Sequence, residues 1–371
     1  MPSVSDRAAR AIAYLTRAGY RRCEPAILQP ASIFFDSGED LRAELYLTSD
    51  PSGADYCLRP EYTIPVLALY LGQETQRGQA AYSYCGPVFR FRPGASSEFI
   101  QAGIESFGRS DREAADAEIL ALAIRAAAAA QEKPLSAACL RVRTGDARLL
   151  ARFLEALDLP PQWRRRLVRG LPKGKPLDAI LSPRTNGGIR DHSGLLALIE
   201  GADKQGAHAL VEDLLAIAGV SAAGGRSAAE IAERFLEQAA LRSGARFAAE
   251  RRVLIERFLE IEAAPGDALK SLRALARDAG IDLSAALDQL EARFELIASD
   301  RLEGTEVRFA AAFTGALDYY TGFVFEAHHD GASALVAAGG RYDALAQALG
   351  SARPVPAVGA AIWLDNLGGA P

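Results

Sequence analysis

The chain lacks the features that mark a nucleic-acid binder or a membrane protein. Its 42 lysines and arginines are outnumbered by 47 acidic residues, which gives a formal net charge of −5 and no overall basic footprint for a polyanion. It has no run of about 18 apolar residues, as a membrane helix requires, and no apolar signal segment near the N-terminus. We therefore expect a cytoplasmic location and no membrane partner.

Residues that bind metals or form disulfides are also scarce. The four cysteines are widely spaced and form no C-x-x-C pair. This pattern favours buried, reduced thiols over a zinc site or a disulfide framework. The four histidines are scattered as His192, His208 and the pair His328-His329. We therefore predict no metal site and no cofactor.

What the sequence does have is a large apolar fraction arranged in three blocks. The 371 residues are 49% hydrophobic, enough for two or three domains. Strand patterns occur before about residue 145 and after about 300, and a mainly helical pattern lies between them. The pattern predicts an α+β fold with a central antiparallel β-sheet flanked by helices. Residues 1–145 and 300–371 would form this domain, and residues 146–299 a mainly helical insertion.

Five short motifs carry most of the chemistry. They are Leu58–Thr63 (LRPEYT), Gly86–Arg90 (GPVFR), Gln101–Gly108 (QAGIESFG), Leu317–Tyr320 (LDYY) and Ala338–Asp343 (AGGRYD). In a strand, Gln101 and Glu105 lie on one face, and Gly103 between them leaves room for a ligand. Two polar groups on one face of an apolar strand need partners, because burying them unpaired costs free energy.

Taken singly, each motif has an ordinary explanation. The carboxylate of Glu61 can accept hydrogen bonds from an ammonium group, yet an Arg-Pro-Glu sequence is usually at the surface. Arg90 can bind a phosphate in bidentate fashion or form a salt bridge. A tyrosine pair such as Tyr319-Tyr320 is more often core than ligand-binding. Only the set, in its order and spacing, points to a function.

In that order and spacing, the motifs resemble the catalytic core of the class II histidyl-tRNA synthetases over about residues 1–145 and 300–368. The resemblance implies a six-stranded antiparallel sheet that binds histidine and ATP, within a homodimer. By position, Glu61, Thr63 and Gln101 would hold the amino acid's ammonium group, and Glu105 and Tyr320 the imidazole, with Tyr319 in the same pocket. A nucleotide remnant would comprise Arg90 at the α-phosphate, Phe99 against the adenine, and Arg341.

Two arginines of that family are absent. Gly315 stands where the family has the arginine that neutralises charge during adenylation, and Asn366 where it has the arginine for the ATP γ-phosphate. Loss of one such electrostatic donor can cost roughly 10²–10³ in rate. We therefore expect no catalytic residues and no synthetase activity, and no anticodon-binding domain after residue 371.

With these departures, the sequence resembles a paralogous family, the regulatory subunits of ATP phosphoribosyltransferase. That resemblance implies a non-catalytic chain that pairs with a short-form catalytic subunit in a hetero-octamer. The complex would perform the first step of histidine biosynthesis, and L-histidine would be its feedback effector.

Two alternatives stay open at this point. The retained Glu61, Arg90 and Arg341 are compatible with an active histidine-adenylating enzyme. A basic cluster from Arg164 to Lys175, with no acidic residue between positions 161 and 175, is compatible with an RNA-binding synthetase paralogue. A solvated helix face or a partner contact explains the same cluster without RNA, and we do not expect tRNA as a partner.

Overall fold

The computed structural model describes residues 2–35, 39–73, 78–132, 139–171, 175–181, 222–223, 226–227 and 249–368. The helices are α1 Val4–Arg17, α2 Glu39–Ala43, α3 Thr63–Leu71, α4 Arg112–Ala130, α5 Ala147–Ala156, α6 Pro161–Gly170, α7 Leu177–Leu181, α8 Ala249–Leu259, α9 Pro265–Ala279, α10 Ser284–Ser299 and α11 Leu345–Ala348, with 3-10 helices at Ala31–Phe34 and Leu364–Gly368. The strands are β1 Arg21–Arg22, β2 Leu28–Pro30, β3 Leu47–Ser49, β4 Asp55–Leu58, β5 Ala80–Phe89, β6 Glu98–Phe107, β7 Leu140–Asp146, β8 Ala222–Ala223, β9 Arg226–Ser227, β10 Glu262–Ala263, β11 Thr305–Ala310, β12 Phe323–His329, β13 Leu335–Arg341 and β14 Ala357–Trp363.

The chain divides into a larger unit, residues 1–157 and 254–371, and a smaller unit, residues 158–253. Both boundaries lie inside the range 146–299 that the sequence predicts as an insertion. The predicted range is too wide because α5, α9 and α10 belong with the larger unit. In α5, the ring of Phe153 stacks on Phe258 of α8 at 4.2 Å, and Ile297 of α10 lies in the main core.

A nine-stranded sheet forms the centre of the larger unit, in the order β1-β5-β6-β14-β13-β12-β7-β11-β10. The six strands from β5 to β7 in this order pair antiparallel throughout, which confirms the α+β fold. Outside these six, β1 pairs with β5 and β11 with β7 in parallel, and β10 pairs antiparallel with β11 at the second edge. Strands from both ends of the chain therefore meet at the pairing of β6 with β14.

Helices α1 and α4 cover one face of this sheet. Ser3 and Asp6 form a capping box at the start of α1, which satisfies backbone N–H groups that the first turn leaves unpaired. Ala11 and Leu15 of α1 pack with the alanine-rich face of α4 in the main core. Small alanine side chains let α4 lie close to the sheet while favouring the helical backbone. The side chains on the opposite face of β6 therefore pack against other elements.

On that opposite face, α3 and a small sheet in the order β2-β4-β3 contribute to a second, aromatic core. Its members include Tyr62, Tyr82, Tyr84, Phe107 and Tyr342. Tyr62 and Tyr84 stack at 4.3 Å with ring planes only 8° apart. This cluster surrounds the polar residues that the motifs predict to bind a ligand.

The described part of the smaller unit is helical, apart from the pairing of β8 with β9. Trp163 and Leu167 of α6 are buried. Helix α7 packs beside α6 at Gly170, where an added Cβ would stand 2.7 Å from the Ile180 side chain. A small residue at this position therefore lets the two helices approach closely.

Candidate functional site

The centre of the candidate site is the face of β6 that looks away from α4. Gln101, Gly103 and Glu105 alternate onto this face, and all three are buried, whereas Ala102 and Ile104 alternate into the main core. The strand register places Glu105 beside Gly359 of β14. The predicted same-face arrangement follows from the two-residue period of a strand.

Glu105 is fully buried and accepts three side-chain hydrogen bonds. The Thr63 hydroxyl donates at 2.8 Å and the Tyr84 hydroxyl at 3.2 Å, and the Tyr342 hydroxyl donates to the second carboxylate oxygen. Burial in an apolar environment raises the pKa of Glu105 to about 8, although hydrogen bonds from Tyr342 and Thr63 oppose that rise. This raised pKa favours the protonated acid at neutral pH.

Glu61 is buried at the start of α3 and binds its first turn. One carboxylate oxygen accepts the Thr63 backbone N–H at 2.6 Å, and the other accepts the Ile64 N–H at 2.9 Å. Burial raises the pKa of Glu61, and these backbone bonds together with the charge of Arg90 lower it. The residue thus caps a helix, and the sequence alone did not reveal this role.

Gln101 differs from these acids because part of it is unsatisfied. Its side chain is 1% exposed, and its Oε1 atom has no hydrogen-bond partner among the residues that the structure describes. A buried acceptor without a donor costs about 1–3 kcal/mol. A ligand that brings an N–H group to this oxygen would remove that cost.

Tyr319 and Tyr320 lie at the same site and are partly buried. Their rings meet edge-on at 5.2 Å, and Tyr319 also meets Tyr342 edge-on at 5.8 Å. The Tyr320 ring packs between two glycines, since an added Cβ would stand 2.6 Å from it at Gly315 and 2.9 Å from it at Gly340. The tyrosine pair is therefore held by packing, as part of the wall of the site.

The space above Gly103 is filled from within the protein. A Cβ added there would collide with the Tyr84 hydroxyl and the Ala360 carbonyl oxygen. The expectation that Gly103 leaves room for a ligand is wrong in this structure, because the glycine makes room for the Tyr84 phenol.

Two tyrosines that lie at this site were not predicted from the sequence. Tyr84 and Tyr342 both donate to Glu105, and neither was among the predicted site residues. Tyr342 lies inside the Ala338–Asp343 motif, so the motif itself was the signal. For Tyr84 the sequence signal was its place in an alternating strand pattern. Its pairing with Gly103 depends on the register of β5 with β6.

The predicted nucleotide residues are mostly engaged with the protein. Arg90 donates from Nε to the Pro60 carbonyl at 2.7 Å. The Phe99 ring is buried, and the Arg92 guanidinium lies 4.0 Å from its centroid, a position in which it covers the face of the ring. An adenine would have to displace this guanidinium to stack on the covered face.

Arg341 belongs to a buried network of ion pairs. Its Nε donates to Asp116 at 2.9 Å, its Nη1 to Asp343 at 2.9 Å, and its Nη2 to the Arg112 carbonyl at 3.0 Å. All three nitrogens therefore bond protein oxygens. This arrangement assigns Arg341 a structural role in place of the predicted phosphate contact.

The two positions that lack the synthetase arginines differ in their environment. Gly315 has φ of +82°, a left-handed conformation that side chains rarely adopt. Added to the close approach of Tyr320, this backbone leaves no space for an arginine. Asn366 donates from its side-chain nitrogen to the Leu335 carbonyl at 2.7 Å, so it fixes the C-terminal 3-10 helix to β13.

Three further expectations concern features outside this site. No group of three or more potential metal-ligating side chains occurs within the described ranges. Among the same residues, no helix combines the length and the apolar character needed to cross a bilayer. In the basic cluster, the Arg166 guanidinium lies 5.4 Å from the centroid of Trp163, and Lys173 lies outside the described residues.

Comparison with known proteins places these motifs in a family. Residues 3–186 and 204–367 match the sequence model of histidyl-tRNA synthetase. A protein of Brucella anthropi named ATP phosphoribosyltransferase regulatory subunit is 38% identical over 93% of this chain and 91% of its own length. A protein of the same name from Mesorhizobium japonicum is 39% identical with the same coverage.

Solved structures show the same fold at lower identity. A Bacillus halodurans protein described as an ATP phosphoribosyltransferase regulatory subunit/histidyl-tRNA synthetase superposes with a TM-score of 0.65 at 20% identity, over 98% of this chain and 78% of that one. A histidyl-tRNA synthetase from Nostoc sp. PCC 7120 gives 0.62 at 17% identity, over 98% and 70%. Both confirm the class II synthetase-like architecture.

Proposed function

This chain belongs to the histidyl-tRNA synthetase family, as an ATP phosphoribosyltransferase regulatory subunit and not a catalytic synthetase, and from that premise we propose that it senses L-histidine for a separate catalytic chain. Its role lies in histidine biosynthesis. The proposed partner is the short-form catalytic subunit, which would perform the first step of the pathway only in the complex. Histidine bound to the regulatory chain would inhibit that step.

One observation carries this proposal, namely a set of buried polar side chains on one strand face, together with a position that disfavours the adenylation arginine. The orphan Oε1 atom of Gln101 and the carboxyl group of Glu105 share one strand face. Gly315 has a backbone conformation and a Tyr320 contact that exclude a long side chain. A chain with these properties keeps the means of binding an amino acid and loses the charge stabilisation of adenylation.

We assign the parts of histidine to the site as follows. The ammonium group would donate to Gln101 and Glu61, with Thr63 beside them. The imidazole would lie between Glu105 and Tyr320, so that a ring N–H donates to the carboxylate and the other nitrogen accepts from the phenol. Tyr319 would close the wall beside Tyr320.

The assembly that we propose is a hetero-octamer built on homodimers of the synthetase-like core, in the cytoplasm. Exposed apolar side chains are present at the small sheet for such a dimer contact, among them Leu47 of β3, which is 63% exposed.

The decisive experiment uses the catalytic subunit of the same organism. We expect that subunit alone to form little product from ATP and phosphoribosyl pyrophosphate, the purified chain to raise its rate, and L-histidine to lower it again. A rate unchanged by the chain would overturn the proposed role. Histidine-dependent pyrophosphate–ATP exchange by the chain alone would favour an adenylating enzyme instead.

Binding of histidine is tested separately by isothermal titration with three variants. Gln101→Met removes the acceptor for the ammonium group, and we expect an affinity loss of about tenfold or more. Tyr320→Phe should weaken binding as well. Gln289→Met, an exposed glutamine on α10, serves as the matched control and should bind like the parent.

The stability of the variants separates binding from folding. Replacing the unsatisfied Gln101 by an apolar side chain should leave the unfolding midpoint unchanged or raise it. If Gln101→Met and Tyr320→Phe both keep full affinity, histidine binds elsewhere in the complex.

A further inference from the structure

A groove of about 340 Å³ lies on the surface of the larger unit, and three arginines line it. Arg148 and Arg152 come from α5, and Arg112 comes from the start of α4. Thr321 and Asp343 lie on the other side, and Glu155 of α5 completes the polar lining. None of these residues belongs to the proposed histidine pocket, so the groove is a separate feature.

The three guanidinium groups differ in how far they are already paired. Arg152 bonds Glu155 at 2.8 Å, and Arg112 lies 3.4 Å from Asp343. Arg148 is exposed, and its guanidinium has neither a hydrogen bond nor an ion pair within the part of the chain that the structure describes. Three cations facing two carboxylates leave a positive charge at Arg148.

The geometry of α5 directs that charge into the groove. Arg148 and Arg152 are four residues apart, so they lie on the same face of the helix. The backbone N–H groups of Arg148 and Leu149 are already bonded to the Asp146 carboxylate at 2.9 and 3.0 Å. An anion in the groove would therefore be bound by guanidinium groups and not by the helix terminus.

We propose that this groove binds a small phosphorylated anion, with a diphosphate as the best fit. Guanidinium forks match phosphate oxygens in bidentate geometry, and arginines from two different helices can bind the two ends of a diphosphate. The volume lies within the range of small-ligand sites. An acidic protein segment fits less well, because a groove of about 340 Å³ is the size of a small-ligand site.

The test is titration of sodium pyrophosphate into the purified chain at low ionic strength, where exposed charges are least screened. Inorganic phosphate, ribose 5-phosphate and hexaglutamate are titrated in parallel. We expect pyrophosphate to bind more tightly than either monophosphate, and hexaglutamate not to bind. Tighter binding of hexaglutamate than of pyrophosphate would overturn the proposal.

Variants locate the site. Arg148→Ala should weaken pyrophosphate at least about tenfold. Glu155→Gln should strengthen it about two- to fivefold, because it removes a negative charge and releases Arg152 from its pair. Arg277→Ala, an exposed arginine on α9, is the matched control and should have no effect.

Two results would contradict the proposed anion site. Equal affinity in the parent and in Arg148→Ala, or an equal loss in Arg277→Ala, would show that the groove does not bind the anion. All three substituted residues are exposed, so we expect every variant to fold. Histidine affinity is measured on the same samples, and its retention separates a failure of this site from a failure of the proposed function.

Discussion

At the scale of single residues, Glu105 connects the chemistry of the site to stability. It is buried among hydroxyl donors, and burial raises its pKa from a usual value of 4.5 to about 8. Tyr84 and Tyr342, which donate to it, have pKa values raised well above their usual range, chiefly by burial. The phenols therefore remain protonated donors while the carboxyl group can exchange its proton.

This raised pKa predicts a stability that falls as pH rises. Between pH 4.5 and about 8 the folded chain retains a proton on Glu105 that the unfolded chain releases. The favourable contribution is complete below pH 4.5 and is lost as pH rises through 8, with a slope of at most about 1.4 kcal/mol per pH unit. Urea denaturation at several pH values measures this slope.

Glu105→Gln should flatten the pH profile, since an amide does not titrate. Burial raises the pKa of Glu61 too, so a smaller slope of the same sign should persist in that variant. Glu295→Gln, an exposed glutamate on α10, is the control and should keep the parent profile. A parent profile that rises across this range would contradict the assignment.

Gly315 yields a second residue-scale prediction. Gly315→Ala adds a Cβ that would stand 2.6 Å from Tyr320 at a φ of +82°. Gly331→Ala has a similar φ of +73° and nothing within 4 Å, so it reports the backbone strain alone. We expect Gly331→Ala to lower the free energy of unfolding by about 1 kcal/mol. Gly315→Ala should lower it by about 1–3 kcal/mol more, because the added Cβ overpacks the site.

Gly315→Arg should accordingly destabilise the chain without restoring pyrophosphate–ATP exchange. The same arginine at Gly266, which has open space around it, is the control for the substitution itself. Restored exchange in Gly315→Arg would show that the loop can rearrange and that the glycine alone blocks adenylation.

At the scale of elements, a buried ion-pair network joins four parts of the larger unit. Arg293 of α10 bonds Asp116 of α4 at 2.9 Å and Asp146 of β7 at 3.0 Å. Arg341 of β13 bonds the other oxygen of Asp116 at 2.6 Å. Burial raises the pKa of Asp116, and the two arginines lower it. This network ties α10 to the sheet, which explains why α10 belongs with the larger unit.

Arg293→Met should destabilise the fold by about 3–5 kcal/mol, because it leaves Asp146 and part of Asp116 buried without a cation. Arg273→Met is the matched control, since Arg273 of α9 pairs with Asp288 and Glu291 in exposed positions, where such pairs contribute about 0–1 kcal/mol. Chemical denaturation compares the two. Equal losses would show that the buried network does not stabilise the fold more than a surface pair does.

At the scale of the whole molecule, the proposed homodimer predicts a contact at the small sheet. Leu47 is 63% exposed on β3, one of the two edge strands of that sheet. Leu47→Lys should weaken the dimer about tenfold or more, since burying a leucine contributes about 1.5–3 kcal/mol. Analytical ultracentrifugation measures the change.

Leu296→Lys is the control for that experiment, because Leu296 on α10 is also exposed, at 37%. It should sediment like the parent. If Leu47→Lys dimerises as well as the parent does, the contact lies elsewhere, and a monomeric parent would remove the homodimer from the proposal.

The sequence by itself determined the fold class, the family and which residue types line one face of β6. A two-residue period places Gln101 and Glu105 together, and the order of the five motifs identifies the synthetase core. The strand period is a local signal, and the order of the motifs is read along the chain. The absence of arginine at positions 315 and 366 is likewise visible in the sequence.

Only the tertiary structure decided what each of these residues touches. The pairing of Tyr84 with Gly103, the cap that Glu61 forms on α3, and the network around Arg341 join segments through strand register and packing. Arg341 bonds Asp116, 225 positions away. Periodicity shows which face a side chain occupies, but contacts over such separations depend on how the sheet assembles, and no local pattern encodes them.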